Sequence, residues 1–492
     1  MSSEPFGSAA WQVALINPEG LTAAQTRKRP GRRLLPSLGL AYIAASLEHH
    51  GNQVSVLDAG VATQHEVRRF FSHPYQMVGV TATSFTFREA LSAARLVKQR
   101  FPGAPVVLGG PHVAVDPEGS LADPAVDFAF RGEGEAAVAD FVEVLKRSGE
   151  AKPEVLAQVP GLVFRDGSRV RANPAAPRIQ ELDGLPFPAW HLFPMRRYRQ
   201  HALLTSRGCP MDCAFCSIRT IWGRQWIRRG PDHVVEELAW LVRQWGRKLV
   251  HFNDDNLAFD DRHISGLCDE LLRRRLRLNW VVQGLRADTV TPELLRKMRR
   301  AGCHRVSLGI ESVSPGVLSA IGKKETPEDM ARAVRMCRDA GIQVLGMFMI
   351  GNPGDTLQTV RASIAFARES DIELPAFYQA LPYPGTRLWD HASREGKFLN
   401  PDYRAFDHLS PEPVFETPAF PAEERRRAFA EAERFSRSRY LRYHLGFWWP
   451  GRLLRRNLFE IAHELLLVVK ALFFPWKWVR AATRRWAAGG TK

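Results

Sequence analysis

Cysteine is scarce in this chain: there are six in 492 residues, and none precedes Cys209. So few cysteines exclude a disulfide-stapled scaffold and favour a reducing compartment. The first residues contain no positively charged and then apolar signal pattern, so we expect a cytoplasmic protein. Long apolar runs are also lacking. The most apolar stretch, residues 465–478, is interrupted by Lys470 and Pro475 and falls short of the ~20 residues that a membrane span needs.

The formal net charge of +16 is unevenly distributed. Residues 437–492 hold twelve Lys or Arg and only two Glu, so most of the excess belongs to a C-terminal tail and gives no reason to expect nucleic-acid binding. Two interpretations of the tail stay open: peripheral contact with the inner face of an anionic membrane, or packing of its apolar side on the preceding domain. Its apolar content also hints at a lipid-like substrate.

A chain of this length is expected to form two or three domains. The hydrophobic periodicity of strands and helices indicates where each domain lies in the sequence. Residues 11–148 alternate strands with helices, which predicts a doubly wound parallel sheet of Rossmann-like α/β type. A proline-rich segment, 149–200, predicts an ordered linker with a small hairpin at 163–170. About six further strand–helix units in 201–400 predict a partial (βα)6 barrel, followed by a helical extension at 401–492.

Three thiols stand within eight residues of the second domain, Cys209, Cys213 and Cys216, with the spacing C-x3-C-x2-C. A single tight loop can turn all three sulfurs towards one centre. Cys268, Cys303 and Cys337 are scattered, so no fourth ligand is evident. Three local thiolates favour a [4Fe–4S] cluster with one iron left open. The alternatives are buried small hydrophobic residues, or a zinc site completed by a distant histidine.

The cysteine loop resembles that of the radical S-adenosylmethionine (SAM) superfamily, C-x3-C-x-aromatic-C, with Phe215 in the aromatic position. The resemblance implies that the open iron chelates SAM, whose reductive cleavage gives a 5′-deoxyadenosyl radical. Polar residues that follow the barrel strands are then candidates to contact the ammonium, carboxylate and ribose of SAM: Asp254, Asp255, Arg286 and Glu311. The resemblance adds Phe215 to the SAM contacts and places Gly351 in a turn near adenine. The alternative for each polar side chain is that it caps the following helix.

Loops rich in glycine and polar residues follow strands of the first domain, at the edge where such sheets bind ligands. Each of them alone is also compatible with an ordinary tight turn. Together with residues 37–44 they resemble the cobalamin-binding domain that precedes some radical SAM domains. The resemblance covers most of residues 11–145 and implies that cobalamin is contacted by Thr81, Ser84, Gly109, Gly110, His112 and Glu133.

One motif of other cobalamin proteins, D-x-H-x-x-G with its cobalt-binding histidine, is missing from this sequence. We therefore expect cobalamin to bind without that ligand, and we expect His49, His50 and the His112 imidazole to be packed or solvated rather than bound to cobalt. A domain that has kept the fold and lost the corrinoid stays open as an alternative.

The resemblance implies a cobalamin-dependent radical SAM enzyme, with a methyltransferase of unactivated carbon as the first expectation. Such an enzyme uses SAM twice, as methyl donor and as radical source, and takes electrons from a flavodoxin- or ferredoxin-type donor. The substrate would be a small secondary metabolite or a lipid-like molecule. An oxidative cyclase or rearrangement enzyme of the same family is the alternative. A non-catalytic iron–sulfur or corrinoid-binding module is a third, against which Asp254, Arg286 and Glu311 argue. A tRNA methylthiotransferase is excluded, because residues 1–208 lack the cysteines of its second cluster.

Overall fold

The computed structural model describes residues 10–26, 28, 31, 33–148 and 152–446. Contacts divide the chain into two compact units. The first comprises residues up to Arg199 together with Thr220–Gly223, and the second comprises Gln200–Arg219 and the residues from Arg224 onward. The aromatic and basic tail beyond Gly446 lies outside the described residues, so both interpretations of it stay predictions.

The first unit alternates strands and helices in the predicted order. Its strands are β1 (Gln12–Asn17), β2 (Gln53–Asp58), β3 (Met77–Thr81), β4 (Val106–Gly109), β5 (Phe128–Phe130), β6 (Leu162–Asp166) and β7 (Arg169–Ala172). Its helices are α1 (Leu21–Ala24), α2 (Leu38–His49), α3 (Gln64–Phe70), α4 (Phe87–Arg100), α5 (Pro111–Val115), α6 (Glu135–Ser148) and α7 (Pro153–Leu156).

The first sheet has the strand order β2-β1-β3-β4-β5-β6-β7, and its first five strands are parallel. Strands β1, β3 and β4 are largely buried runs of apolar residues, as helix-covered parallel strands must be, whereas β2 lies at the edge of the sheet and is half-buried. The order reverses between β1 and β3, which confirms the doubly wound architecture. Ligands of such sheets bind beyond the carboxyl ends of the strands, near this switch point.

The segment predicted as a linker is built into the first unit. Its hairpin is present, with Gly167 in the left-handed turn position (φ 61°), but β6 pairs antiparallel with β5 and so extends the sheet by two strands. The apolar side chains of Leu162, Val163 and Phe164 are fully buried by this pairing. The linker prediction was wrong on this point, because the sequence shows the hairpin but not the sheet edge that it joins.

The second unit contains the predicted barrel. Its strands are β8 (Gln200–Leu203), β9 (Ser206–Arg207), β10 (Ile227–Arg228), β11 (Leu249–Phe252), β12 (Trp280–Leu285), β13 (Cys303–Glu311), β14 (Gln343–Ile350), β15 (Leu374–Gln379), β16 (Lys397–Phe398) and β17 (Phe415–Glu416). Its helices are α8 (Ile218–Trp222, largely counted with the first unit), α9 (Pro231–Trp245), α10 (Asp261–Arg273), α11 (Pro292–Arg300), α12 (Pro315–Ala320), α13 (Pro327–Asp339), α14 (Leu357–Glu369), α15 (Arg387–Glu395) and α16 (Ala422–Gly446).

Six parallel strands form the barrel sheet in chain order, β8-β11-β12-β13-β14-β15. Among the described strands β8 and β15 do not pair, so the barrel is partial, as predicted. The carboxyl ends of all six strands therefore lie at one rim, and the loops that carry the candidate residues start there.

The long charged helix α16 packs against the last part of the barrel. Tyr440 and Tyr443 lie on the buried residues Leu345, Leu374 and Ala376 of β14 and β15. The Arg439 Nε donates to the carbonyl oxygen of Ile372 (3.1 Å). Within the described part of the chain, no helix combines the length and the apolar character that a membrane crossing needs.

A buried histidine of β8 makes the stability of the second unit sensitive to acid. His201 is wholly buried, its Nε2 donates to the carbonyl oxygen of Gly246 (3.0 Å), and burial lowers its pKa to about 4. Because the unfolded imidazole titrates near 6.5, this stabilisation is complete above pH 6.5 and is lost as the pH falls through 4. We expect acidification from pH 7 to 4.5 to cost about 2–3 kcal/mol through this group.

The measurement is the urea midpoint at both pH values for the wild type and His201→Gln, which should respond less to pH. His191→Gln is the control, because the His191 side chain is 57% exposed. An equal response of His201→Gln and the wild type would contradict the assignment.

Candidate active site

The three clustered cysteines lie in the loop that follows β8, at the rim of the barrel. The thiols of Cys209, Cys213 and Cys216 are free and half-buried. Burial raises the pKa of Cys213 and raises that of Cys216 to about 12, and the neighbouring sulfurs add to both shifts. The three sulfurs are thus close enough to feel one another's charge, which the ligands of a single centre require.

The donor set fits an iron–sulfur cluster. Metal binding displaces the thiol proton, and three soft thiolates suit a [4Fe–4S] cluster whose fourth iron is open. In the part of the chain that the structure describes, no three His, Cys, Asp or Glu side chains are gathered in a way that could hold a single metal ion. The alternative of a zinc site completed by a histidine therefore gains no support. A four-iron cluster is larger than one ion and needs its ligands further apart.

Asp254, after β11, holds the start of the cysteine loop. Its Oδ1 accepts hydrogen bonds from the Thr205 amide (3.0 Å), the Thr205 hydroxyl (2.7 Å) and the Ser206 hydroxyl (2.7 Å). All three residues are more than nine-tenths buried. The Asp254 carboxylate is thus occupied in bracing the loop, and contact of Asp254 with SAM stays a prediction. The helix-capping alternative is wrong, since Asp260 caps α10.

Two neighbours of Asp254 contact the loop directly. The Gly208 amide, at a left-handed turn (φ 88°), donates to Asp255 Oδ2 (2.9 Å). The Asn256 Nδ2 donates to the Cys209 sulfur (3.8 Å). Asn256 was not among the predicted site residues, although it follows the same strand. A donor to a ligating sulfur stabilises its anionic form, so Asn256 belongs to the site.

The middle of the loop is held by segments that follow β13 and β15. The Ala214 amide donates to the carbonyl oxygen of Ile321 (2.8 Å), and the Leu388 amide donates to that of Ala214 (2.9 Å). Phe215 packs with an apolar cluster that includes Met349 and Ala380. The aromatic position thus anchors the loop to the barrel rim, while contact of Phe215 with SAM stays a prediction.

Arg286 and Glu311 lie at the carboxyl ends of β12 and β13. The Arg286 Nε and Nη2 donate to Asp288 (2.9 and 2.6 Å), so one bidentate edge that was predicted for SAM is already used within the chain. Glu311 is largely buried and adopts a left-handed backbone (φ 62°), which is unusual for a residue with a side chain. Both groups influence the Cys213 thiol electrostatically, which places them at the cysteine site.

The turn after β14 is stabilised by a buried carboxylate that the sequence analysis missed. Asp355 Oδ2 accepts from the amides of Gly351 (3.0 Å) and Asn352 (3.1 Å), and burial raises its pKa to about 6. Gly351 has φ 102°, and the Arg425 guanidinium of α16 would collide with any Cβ there. Asp355 and Arg425 thus fix the conformation of the turn, and contact of Gly351 with adenine stays a prediction.

The glycine pair after β4 has two different roles in the first unit. A Cβ on Gly110 would lie 2.7 Å from the carbonyl oxygen of Ala82, and its φ is 101°, so only glycine fits. A Cβ on Gly109 would meet nothing within 4 Å. Glycine at Gly109 is therefore not demanded by the protein, and the open space lies at the edge where ligands of this fold bind.

Some of the other residues predicted to contact cobalamin lie at the ligand-binding edge of the sheet, and others are buried inside the first unit. Thr81 and Ser84 lie at the end of β3, and Phe85 beside them is 51% exposed, which the sequence analysis did not single out. The His112 imidazole is wholly buried, stacks on Phe87 (centroids 3.8 Å apart) and lies 3.2 Å from the Ser84 hydroxyl. It is packed, as expected, and its amide donates to the carbonyl oxygen of Ala82 (3.1 Å), so contact of His112 with cobalamin stays a prediction.

Glu133 is also occupied within the first unit. Its Oε2 accepts from the Ile179 amide (2.6 Å) and from the Arg178 Nε (3.1 Å), and the residue is 5% exposed. This carboxylate ties residues 178–179 to the domain, and contact of Glu133 with cobalamin stays a prediction. A sequence cannot show such a partner, which lies 45 positions away.

Two family models match the two units. The B12 binding domain matches residues 32–142, and the Radical SAM superfamily matches residues 203–367.

Relatives align with most of the chain. An uncharacterized methyltransferase of Pyrococcus horikoshii is 31% identical over 447 residues, covering 89% of this chain and 92% of the relative. The cytidylyl-2-hydroxyethylphosphonate methyltransferase of Streptomyces wedmorensis is 29% identical, covering 80% and 83%. An anaerobic magnesium-protoporphyrin IX monomethyl ester cyclase of Cereibacter sphaeroides is 27% identical, covering 68% and 56%.

Among solved structures, the radical SAM methyltransferase TsrM of Kitasatospora setae, with cobalamin and a [4Fe–4S] cluster bound, superposes with a TM-score of 0.66. It is 22% identical, covering 78% of this chain and 76% of that protein, and it supports the fold. With the matched domains and the full-length relatives, the chain belongs to the family of radical SAM enzymes that carry an N-terminal B12 binding domain.

Proposed function

We propose that this enzyme methylates an unactivated carbon of a small-molecule substrate, using a [4Fe–4S] cluster, SAM and cobalamin. The observation that carries the proposal is the braced loop of three free thiols at the rim of a six-stranded partial barrel. Two relatives whose names state methyl transfer, and which align over most of their length, favour methylation over the cyclase alternative.

The residues at the rim have separate roles in this proposal. Cys209, Cys213 and Cys216 hold the cluster, Glu311 accepts from the SAM ammonium or ribose, and the turn at Gly351 lies along the adenine. Arg286 presents to the SAM carboxylate the donors that Asp288 does not use. When bound, the [4Fe–4S] cluster would supply the electron that cleaves SAM to a radical able to take hydrogen from carbon, and cobalamin would supply the methyl group.

The chain itself supplies position and a dry environment. Asp254 fixes the loop before the first cysteine, and the bonds to Ala214 fix its middle. Partial burial of Cys213 and Cys216 limits the access of water to the centre, which protects a reactive radical and strengthens the ion pairs beside it. The electron donor is external, of flavodoxin or ferredoxin type.

The first unit holds cobalamin at the carboxyl edge of its sheet, without a histidine ligand to cobalt. The buried His112 supports this part of the proposal, because its imidazole is packed against Phe87. Thr81, Ser84 and Gly109 provide the polar and open surface at that edge.

Product analysis tests methyl transfer directly. Purified anaerobically and supplied with SAM, cobalamin, dithionite and a cell extract as substrate source, the enzyme should release S-adenosylhomocysteine and 5′-deoxyadenosine in equal amounts. A cyclase would release 5′-deoxyadenosine and methionine without S-adenosylhomocysteine. Release of neither product would contradict an enzymatic role and favour a binding module.

A bulky residue at Gly109 should block cobalamin and spare the fold. We expect Gly109→Val to fold normally, because its side chain enters open space, and to lower cobalamin affinity by about tenfold or more through steric overlap. The measurement is cobalamin absorbance that remains with the protein after gel filtration, beside its iron content, which should not change.

Gly103→Val is the matched control, since Gly103 is equally open but precedes β4 at the opposite edge of the sheet. Gly110→Ala should instead destabilise the unit, because it combines a collision with an unfavourable φ. Full cobalamin binding by Gly109→Val would show that cobalamin does not bind against Gly109 at this edge of the sheet.

A further inference from the structure

Two charged residues that belong to no recognised motif lie behind the rim of the barrel. Lys323 and Glu325 stand between α12 and α13 and are 8% and 2% exposed. Residues of these types are almost never fully buried unless they are paired. Both are paired here, and their partners are the two residues that the proposed function assigns to the amino-acid part of SAM.

Lys323 is bonded to the end of β13. Its ammonium donates to the carbonyl oxygen of Gly309 and lies 3.6 Å from Glu311 Oε1. It also lies 3.1 Å from Glu325 Oε2. The ammonium thus donates to one backbone carbonyl oxygen and lies within ion-pair distance of two carboxylates of the chain itself.

Glu325 is bonded to the end of β12. Its Oε1 accepts from the Ala287 amide (2.6 Å), and its Oε2 lies 3.5 Å from Arg286 Nη2. Its side chain is fully buried. Glu325 thus fixes the backbone next to Arg286 and one side of the Arg286 guanidinium.

Glu311 needs such support for two reasons. Its left-handed backbone (φ 62°) is unfavourable for a non-glycine residue, so surrounding contacts must enforce it. Burial raises the pKa of its carboxyl, and the Lys323 ammonium opposes that shift. The Glu311 carboxylate also packs closely against Gly309, because a Cβ at Gly309 would lie 2.7 Å from Glu311 Oε1.

We propose that Lys323 and Glu325 are positioning residues, which hold Glu311 and Arg286 in the arrangement that receives the ammonium and carboxylate of SAM. Lys323 bridges the ends of β12 and β13 through Glu325, so the spacing of the two SAM contacts is set by one buried ion pair. This inference rests on the proposed function, because SAM is its ligand.

The test compares Lys323→Met, Glu325→Gln and the double variant with Lys324→Met, a matched control at the exposed neighbouring lysine. Equilibrium dialysis of SAM against the oxidised, cluster-containing protein measures affinity without turnover. Iron content and the melting temperature of the cluster-free protein are measured beside it.

We expect Lys323→Met to weaken SAM binding about tenfold or more with iron retained, and to lower the melting temperature, because Glu311 and Glu325 lose the lysine that lies between them. The double variant removes both charges and should recover the melting temperature but not SAM affinity. Lys324→Met should match the wild type in every measurement.

Unchanged SAM affinity in Lys323→Met would overturn the proposal. So would a double variant that regains affinity together with stability, since a purely structural pair behaves in that way. If Lys323→Met does not fold, the double variant decides by the same criterion. A wild type that holds iron yet fails to bind SAM would instead contradict the proposed function.

Discussion

Replacement of Cys213 by alanine is expected to reduce bound iron from about four atoms per chain to near zero and to abolish release of 5′-deoxyadenosine. The reason is that three thiolates are the whole protein ligand set in the proposed site, so a cluster with two protein ligands has no stable attachment. Cys213 is the middle ligand, and its sulfur is the one influenced by Arg286, Glu311 and Lys323 together. The measurement is iron and sulfide content after anaerobic reconstitution, followed by product analysis with SAM and dithionite.

The remaining cysteines provide matched controls for this experiment. Cys268 and Cys337 are free and wholly buried on α10 and α13, and burial raises the pKa of each to about 12. Inert, buried thiols of this kind behave as small apolar residues, so Cys268→Ala and Cys337→Ala should keep full iron content at a modest cost in stability. Iron retained by Cys213→Ala, or lost by both controls, would contradict the assignment of the cluster.

Most of the fold could be predicted, because its signals are local. Apolar runs of strand length that alternate with helical periods determine a parallel sheet, and the alternation predicted for residues 11–148 is observed from β1 to α6. The linker prediction failed for a different reason. Pairing of β6 with β5 depends on a free sheet edge more than thirty residues away, and no local pattern reports that edge.

The residues of the site also differ in how far the sequence predicts them. The spacing of Cys209, Cys213 and Cys216 indicates a metal-binding loop, since all three residues lie within one eight-residue segment. The sequence did not predict the hydrogen bonds that Asp254 and Glu133 accept, because a carboxylate at a strand end can meet a ligand or a neighbouring loop. Only the hydrogen-bond partners, 49 and 46 positions away, distinguish these cases.

Lys323 and Glu325 show what sequence patterns miss at such a site. They lie in a connection between a glycine that ends one helix and the Thr326 cap that begins the next, where charged residues are ordinarily solvated. Their burial follows from the ends of β12 and β13 closing over them. Charge in a short helix–helix connection was the available signal, and it does not distinguish a buried pair from a solvated one.

Replacement of Asp254 by alanine is the second change for which we expect a large effect. It removes the acceptor of three hydrogen bonds and leaves the Thr205 amide and the Ser206 hydroxyl buried without it. Loss of such a network should lower the free energy of unfolding by about 3 kcal/mol. Because these bonds hold the loop directly before Cys209, iron retention should fall as well, although Asp254 is not itself an iron ligand.

The comparison with Asp254→Asn separates bracing from charge. An asparagine keeps one carbonyl oxygen in the place of Oδ1, which carries all three of the short bonds, so Asp254→Asn should keep most of the iron and most of the stability. Asp269→Ala, at an exposed carboxylate of α10 in the same unit, controls for a general effect of lost negative charge. If Asp254→Asn loses iron as completely as Asp254→Ala, the carboxylate acts through its charge. Asp254 would then be a member of the ligand-binding site, as the strand-end pattern alone suggests.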